Sequence, residues 1–174
     1  MDQATDDENA IALLIFTSGT PSLPKACPHT SKGLWTCTYV TNEFCHFSAS
    51  DTLVQHSPTC HVFAVSSDLA YWRAGATVVI PDNTFSAATT FESIESEQAK
   101  NITAVPTLLL ALRSHPTFSK DKVRCLEQID LGDSVVSPEL LKYASEKVGV
   151  KASVGFGMSD GSLTIGYRSS EEVF

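Results

Sequence analysis

The chain has 174 residues, of which 43% are hydrophobic, and a formal net charge of −8. This composition is sufficient for one domain with a sizeable core, and the negative charge argues against nucleic acid or an anionic membrane surface as a partner. Residues 1–9 are acidic and polar, without the basic region and apolar core of a secretory signal, and no later run is long enough to span a bilayer. We therefore expect a flexible N-terminus at residues 1–9 and a cytoplasmic protein.

The five cysteines also favour an intracellular location. They are odd in number and include no Cys-x-x-Cys pair, which indicates reduced thiols rather than a disulfide framework. Cys45-His46 and Cys60-His61 each join two metal-binding residue types, but their spacing matches no known zinc pattern. We expect thiols that happen to neighbour histidines.

The hydrophobic pattern predicts strands and helices in alternation. The predicted strands cover residues 11–16, 52–55, 76–80, 102–105, 126–131, 151–154 and 163–167. The predicted helices cover residues 31–47, 61–73, 85–100 and 107–114, and a fifth begins at Ser137-Pro138, a good N-cap followed by a suitable first residue. Asp82-Asn83 is the expected cap of the third helix. Strands separated by helices of this length pair in parallel, so the predicted fold class is α/β, a mostly parallel sheet flanked by helices.

Ligands of such sheets bind at the carboxyl ends of the strands. The loops that follow the strands ending at Phe16, Leu131 and Val154 are rich in glycine, hydroxyl and acidic residues. We predict that these three loops converge on one crevice.

The first of these loops has the composition of a phosphate-binding segment. A buried-looking strand runs into the sequence TSGTPSLPK at residues 17–25, which supplies hydroxyls, a glycine and the mobile positive charge of Lys25. It is not a Walker loop, because Pro24 and Ala26 stand where that motif needs a glycine and a Ser or Thr. On composition alone, an ordinary Ser/Thr/Pro turn after a core strand remains the alternative.

The loop resembles the signature loop of the adenylate-forming enzymes, the AMP-binding superfamily of acyl-CoA synthetases, aryl-CoA ligases, luciferases and nonribosomal-peptide adenylation domains. The match consists of Thr17, Ser18, Gly19 and Thr20, followed by Pro24-Lys25. Pro21, Ser22 and Ala26 stand where the family usually has Thr, Gly and Gly, and the loss of two glycines should stiffen the loop.

A second stretch, Gly155-Phe156-Gly157-Met158-Ser159-Asp160, is similar to the family's Tyr-Gly-Met-Thr-Glu motif. The resemblance implies that Phe156 stacks on adenine, that Ser159 contacts the α-phosphate and that Asp160 holds magnesium, with Gly155, Gly157 and Met158 lining the nucleotide. Asp160 is one methylene shorter than the usual Glu, so a metal ion would lie closer to the backbone or be reached through water. The alternative is a glycine-rich turn between strands.

Two further stretches carry a weaker resemblance. Pro58-Thr59-Cys60-His61 is similar to the Pro-x-Phe-His stretch of the CoA-ligase branch, which makes His61 a candidate beside the acyl substrate. A histidine that caps the helix after Pro58 explains the same residue equally well. Gly132-Asp133-Ser134 begins the segment that takes the place of the family's Gly-Ala-Ala-Pro-Leu loop, which implies Gly132 and Asp133 on the nucleotide side and Ser134 on the substrate side. His29 lies closer to Lys25 than the family's usual histidine, and no role is assigned to it.

The resemblance implies that residues 10–174 are part of the large N-terminal domain of an enzyme that activates carboxylic acids. A small-molecule carboxylate attacks the α-phosphate of ATP, and the acyl-AMP formed is captured by the thiol of CoA or of a carrier-domain phosphopantetheine. The implied catalytic residues are Lys25, Ser159 and Asp160, the last with Mg²⁺. The family's ribose-binding aspartate, hinge and small lysine-bearing domain find no match here, so we expect a fragment that is incomplete for catalysis. The alternative is a non-catalytic remnant that binds nucleotide or a partner.

Overall fold

The computed structural model describes residues 7–17 and 23–160. The predicted strand at 163–167 and residues 18–22 of the first loop, which include Ser18, Gly19 and Thr20, lie outside the described residues.

Most of the predicted elements are present. The strands are β1 (Ile11–Thr17), β2 (Lys25–Thr30), β3 (Thr52–Gln55), β4 (Thr77–Val79), β5 (Asn101–Ala104), β6 (Gln128–Leu131) and β7 (Lys151–Val154). The helices are α1 (Ser31–Cys45), α2 (Val62–Arg73), α3 (Ala87–Ser96), α4 (Pro106–Ser114) and α5 (Pro138–Tyr143). A 3₁₀ turn covers Asp121–Val123, and a π-helical turn at Ala144–Val148 continues α5.

Five strands form one parallel sheet in the order β4-β3-β5-β6-β7. This confirms the predicted α/β class, a parallel sheet flanked by helices. One face of the sheet is apolar, because a cross-strand row of Val54, Ile102, Ile129 and Ala152 is buried in the main core. Side chains of α3, α4 and α5 belong to the same core, among them Phe91, Leu109, Leu112 and Leu140. Burying each large aliphatic or aromatic side chain stabilises the fold by about 1.5–3 kcal/mol.

The opposite face of the sheet is polar and buried. Gln55, Thr103, Asp130 and Ser153 are aligned across β3, β5, β6 and β7, and all four are buried. Thr103 donates a hydrogen bond to Gln55 at 2.6 Å, Gln55 donates to Asp68 of α2 at 3.1 Å, and Ser153 donates to Asp130. Burial raises the pKa of both carboxyl groups. Hydrogen bonds between paired polar groups therefore hold α2 and the strands together on this face.

Three sequence predictions need correction. The first strand was expected to join the parallel sheet, but β1 pairs antiparallel with β2 in a separate two-stranded sheet. The connection between them is too short for a crossover, and a short connection makes a hairpin. Lys25, predicted as a loop residue, is the first residue of β2. The strand is also not buried throughout, because Ile15 is buried while Leu14 and Phe16 on the other face are exposed.

Of the two predicted helix caps, the cap of α5 is confirmed and the cap of α3 is wrong. Ser137 caps α5 as predicted, since its side chain accepts a hydrogen bond from the Leu140 N–H at 3.3 Å. The cap of α3 is Ser86 rather than Asp82-Asn83, and its hydroxyl accepts from the Thr89 N–H at 3.4 Å. Helix α3 therefore begins two residues later than predicted.

Candidate active site

Two of the predicted loops lie side by side at the carboxyl edge of the parallel sheet. Leu131 and Val154, the last residues of β6 and β7, are paired in register. The Gly155 N–H donates to the Leu131 carbonyl at 2.7 Å, and the Gly132 N–H donates to the Ala104 carbonyl at 3.3 Å. The backbone therefore brings the segments that begin at Gly132 and Gly155 together.

Gly132 lies where the β6 loop meets the first turn of α2. A Cβ atom at this position would lie 2.9 Å from Cε2 of the Phe63 ring and 3.3 Å from the Gly155 carbonyl oxygen. The first distance is too short for a carbon–carbon contact, so a larger residue would force the ring or the backbone to move. A glycine here lets α2 approach both loops.

His61 caps α2 and also faces Asp133. Its Nδ1 accepts a hydrogen bond from the Phe63 N–H at 3.3 Å, which confirms the helix-capping interpretation of this residue. Because Nδ1 accepts, the ring proton is on Nε2, and this atom lies 3.5 Å from Oδ1 of Asp133. Both side chains are about 40% exposed, so the contact contributes little to stability. A substrate-side role for His61 stays a prediction.

Asp133 also has an unusual backbone. Its φ is 64°, in the left-handed region that non-glycine residues seldom occupy. Such conformations cluster at functional sites, where the surrounding structure holds them in place. Asp133 therefore directs its carboxylate towards His61 from a constrained turn, and neighbouring Ser134 is exposed.

The β1–β2 hairpin contacts the β7 loop through His29. The side chains of Thr17, Ile15 and Leu13 share one face of the hairpin with those of their cross-strand partners Lys25, Cys27 and His29. Ile15 and Cys27 are buried, which makes this the inner face. Nε2 of His29 lies 2.9 Å from the Ser159 carbonyl oxygen, and a carbonyl only accepts, so Nε2 is the donor. His29 received no role from the sequence, although its alternation with Lys25 and Cys27 places all three on one face of a strand.

The side chains at this junction are open to a ligand. Phe156 is 67% exposed, Met158 and Gly157 are exposed, and so are Lys25 and Asp160. Ser159 is half-buried. An exposed aromatic ring beside polar loops is suited to stacking on a planar group.

The available oxygen and nitrogen groups suit a phosphate ligand with its own metal ion. Magnesium is usually held by one or two carboxylates together with phosphate oxygens and waters. Within residues 7–17 and 23–160, no group of three or more His, Cys, Asp or Glu side chains is placed to hold a metal ion. The magnesium role of Asp160 stays a prediction.

A cavity of about 420 Å³ lies at the opposite, amino edge of the sheet. The first residues of β5, β6 and β7 line it, namely Asn101, Gln128 and Lys151, together with His46 and Phe47 after α1. None of the four stretches that resemble the family's motifs lines this cavity, so it is separate from the candidate site. In the described part of the chain, no helix has both the length and the apolar character needed to cross a membrane.

The chain belongs to the AMP-binding enzyme family, whose sequence model matches residues 1–172. It is 28% identical over 156 residues to 3-methylmercaptopropionyl-CoA ligase of Ruegeria lacuscaerulensis, an alignment that covers 88% of this chain and 29% of that protein. It is 26% identical over 156 residues to the medium-chain-fatty-acid–CoA ligase of Ectopseudomonas oleovorans, with the same two coverages.

Solved structures share the fold. O-succinylbenzoate coenzyme A synthetase of Bacillus subtilis in complex with AMP superposes with a TM-score of 0.82 at 24% identity, covering 95% of this chain and 34% of that one. ATP-bound MatB of Rhodopseudomonas palustris gives a TM-score of 0.81 at 17% identity, covering 94% and 32%. The chain thus spans about a third of the length of the proteins it matches.

Proposed function

We propose that the protein binds ATP as part of an adenylate-forming ligase that activates a small-molecule carboxylic acid. A carboxylate oxygen attacks the α-phosphorus of ATP, the bond to the bridging oxygen breaks, and pyrophosphate leaves with the electron pair. The acyl-AMP then transfers its acyl group to a thiol and releases AMP. CoA is the acceptor that the names of the relatives favour, and a carrier phosphopantetheine is the other candidate.

One observation carries the proposal. The His29–Ser159 hydrogen bond joins the hairpin that bears Thr17 and Lys25 to the loop that bears Ser159 and Asp160, across 130 residues of sequence. Hydroxyl, ammonium and carboxylate groups from two separate stretches therefore belong to one connected unit. Positioning and charge neutralisation are the main contributions that a protein makes to displacement at phosphorus.

The proposed roles follow the chemistry of each group. Thr17 and Lys25 bind the β- and γ-phosphates, and Ser159 binds the α-phosphate. Magnesium held by Asp160 supplies charge neutralisation when bound. We assign the adenine to Phe156, with Gly155, Gly157, Met158, Gly132 and Asp133 lining the nucleotide, and the acid to the side of His61 and Ser134.

The proposal also covers the cellular location of the protein and the part of the enzyme that this chain represents. We place the protein in the cytoplasm, where ATP and CoA are available and where Cys27, Cys60 and Cys125 would stay free thiols, as they are in the structure. We also propose that residues 10–174 form part of an adenylation domain and that they bind ATP without completing adenylation, since they correspond to about a third of the matched enzymes.

The test is calorimetric titration of the 174-residue protein with ATP in the presence of magnesium. Lys25→Ala and Thr17→Ala should each weaken binding by about 5- to 10-fold, because each removes a charged or hydrogen-bonding contact with phosphate, worth about 1–1.5 kcal/mol. The matched control is Lys32→Ala, which removes the same charge from α1, where Lys32 pairs with Glu8 at 2.9 Å. Undiminished affinity in both Lys25→Ala and Thr17→Ala, or no ATP binding by the unaltered protein, would refute the proposal.

A further inference from the structure

We propose that His29 is a positioning residue that fixes the loop at residues 155–160 against the β1–β2 hairpin and so sets how the two phosphate-binding stretches face each other. The inference rests on the proposed function for its nucleotide part. Its structural part rests on the hydrogen bond from Nε2 of His29 to the Ser159 carbonyl at 2.9 Å.

The loop at 155–160 has one anchor at each end. At its start, the Gly155 N–H donates to the Leu131 carbonyl at 2.7 Å. At its end, the Ser159 carbonyl accepts from His29. Between these anchors, Phe156, Gly157 and Met158 are exposed and belong to no helix or strand. A segment with so few buried contacts opens easily, so one hydrogen bond at its end has a large effect on its position.

His29 is suited to this task because its strand holds it firmly. It lies on the inner face of the hairpin, opposite Leu13, and it is half-buried. The next residue on that face, Cys27, is only 5% exposed and is paired with the buried Ile15. Lys25 follows on the same face, opposite Thr17. The strand therefore transmits the position of His29 directly to the two residues proposed to bind the distal phosphates.

This arrangement predicts a difference between two nucleotides. AMP needs the loop at 155–160, which carries the proposed adenine and α-phosphate contacts. ATP needs this loop and the hairpin at the same time, because its β- and γ-phosphates reach Thr17 and Lys25. Loss of the link should therefore weaken ATP binding more than AMP binding, whereas a general loss of stability would affect both alike.

The variants separate the hydrogen bond from packing. His29→Phe keeps the volume of the ring and removes the donor, and His29→Asn keeps a polar amide that is too short to reach Ser159. His29→Gln restores an amide donor at a reach similar to that of Nε2. Leu13→Ala is the matched control, because it removes packing from the cross-strand neighbour and leaves the hydrogen bond in place.

The first measurement needs no nucleotide. Amide hydrogen exchange of the 174-residue protein, read on peptides covering residues 155–160, should speed up by about 3- to 10-fold in His29→Phe and His29→Asn, the range expected for one net hydrogen bond. The rates in His29→Gln and Leu13→Ala should stay within about twofold of the unaltered protein. Unchanged exchange in both His29→Phe and His29→Asn, or equal acceleration in His29→Gln, would overturn the inference.

The second measurement is calorimetric titration with ATP and with AMP in magnesium. His29→Phe should weaken ATP binding by about 3- to 10-fold and AMP binding by less than about twofold, with recovery in His29→Gln. An equal loss for both nucleotides would overturn the link to the distal phosphates. If the unaltered protein binds neither nucleotide, the proposed function fails, and the exchange measurement still decides whether His29 holds the loop.

Discussion

Replacing Gly132 by alanine tests the close contact between the β6 loop, the Phe63 ring of α2 and the β7 loop. The new Cβ would lie 2.9 Å from Cε2 and 3.2 Å from Cζ of Phe63, and 3.3 Å from the Gly155 carbonyl oxygen. Gly132 is not among the glycines with positive φ, so an alanine at this position meets no backbone strain. The whole penalty therefore comes from the contact with the ring and the neighbouring loop.

The size of the effect follows from two opposing contributions. Overpacking of this kind destabilises proteins by about 1–3 kcal/mol. Alanine restricts the unfolded chain more than glycine does, which stabilises the folded state by about 0.4–1 kcal/mol. The net loss should be about 0.5–2 kcal/mol, which at about 2–4 °C per kcal/mol in a protein of this size lowers the melting temperature by about 1–8 °C.

A double-mutant cycle, measured by thermal and urea unfolding, identifies the cause of the destabilisation. Phe63→Leu shortens the ring side chain, so the pair Gly132→Ala with Phe63→Leu should be more stable than the sum of the single changes predicts. The control is Gly149→Ala, where φ is 88° and a Cβ would meet nothing within 4 Å. Its cost is backbone strain, which Phe63→Leu cannot relieve. The reasoning is refuted if Gly132→Ala melts no lower than the unaltered protein, or if Phe63→Leu has the same effect on both glycine variants.

Two further predictions concern the buried carboxyl group and the exposed ring. Burial raises the pKa of Asp130 in the folded state, so the stability linked to its proton is complete below the pKa of the unfolded chain and is lost as pH rises through the folded pKa. The stability of Asp130→Asn relative to the unaltered protein should therefore increase from pH 4 to pH 7 in urea unfolding. Phe156→Ala should weaken ATP and AMP binding alike by about 1–3 kcal/mol, the value of base–aromatic stacking, in calorimetric titrations.

Each of these two predictions has its own control. For Asp130, a difference between the two proteins that stays constant from pH 4 to pH 7 would contradict the assignment of the pH dependence to this carboxyl group. For Phe156, pyrophosphate binding should be equal in both proteins, because this ligand lacks a base. The melting temperature should also change little, since the side chain is 67% exposed. Unchanged AMP binding would remove Phe156 from the adenine site.

Local signals predicted much of the fold. Ser137 and Pro138 predict the start of α5 correctly, because a capping hydroxyl and a fixed φ act within one helical turn. The cap of α3 was harder, because Asp82, Asn83 and Ser86 are all good caps by residue type. The choice falls to Ser86 in a segment where Phe85 packs edge-on against His56, at 5.3 Å between ring centroids. The residues near the cap do not predict that contact, because His56 lies far from Phe85 in the sequence.

Local sequence also failed to predict the β1–β2 hairpin and the contacts at the candidate site. Strand β2 contains Pro28, which usually argues against a strand and is tolerated here in a two-stranded sheet. The glycine-rich stretch at 155–160 and the loop at Gly132 stand out by their resemblance to motifs. No motif indicates the hydrogen bond from His29 to Ser159 or the close approach of Phe63 to Gly132, because each contact joins residues far apart in sequence. Pairings of this kind depend on how the elements pack, which no short window of residues specifies.

The two faces of the parallel sheet should tolerate mutation in different ways. On the apolar face, Ile102 and Ile129 are held by contacts without direction, so exchanges among aliphatic residues of similar volume should be accepted during evolution. On the other face, Gln55, Thr103 and Asp68 depend on hydrogen bonds with defined partners, and the loss of one member leaves another buried and unpaired. Changes there should survive mainly when two positions vary together. We expect related sequences to show drift on one side of the sheet and correlated substitution on the other.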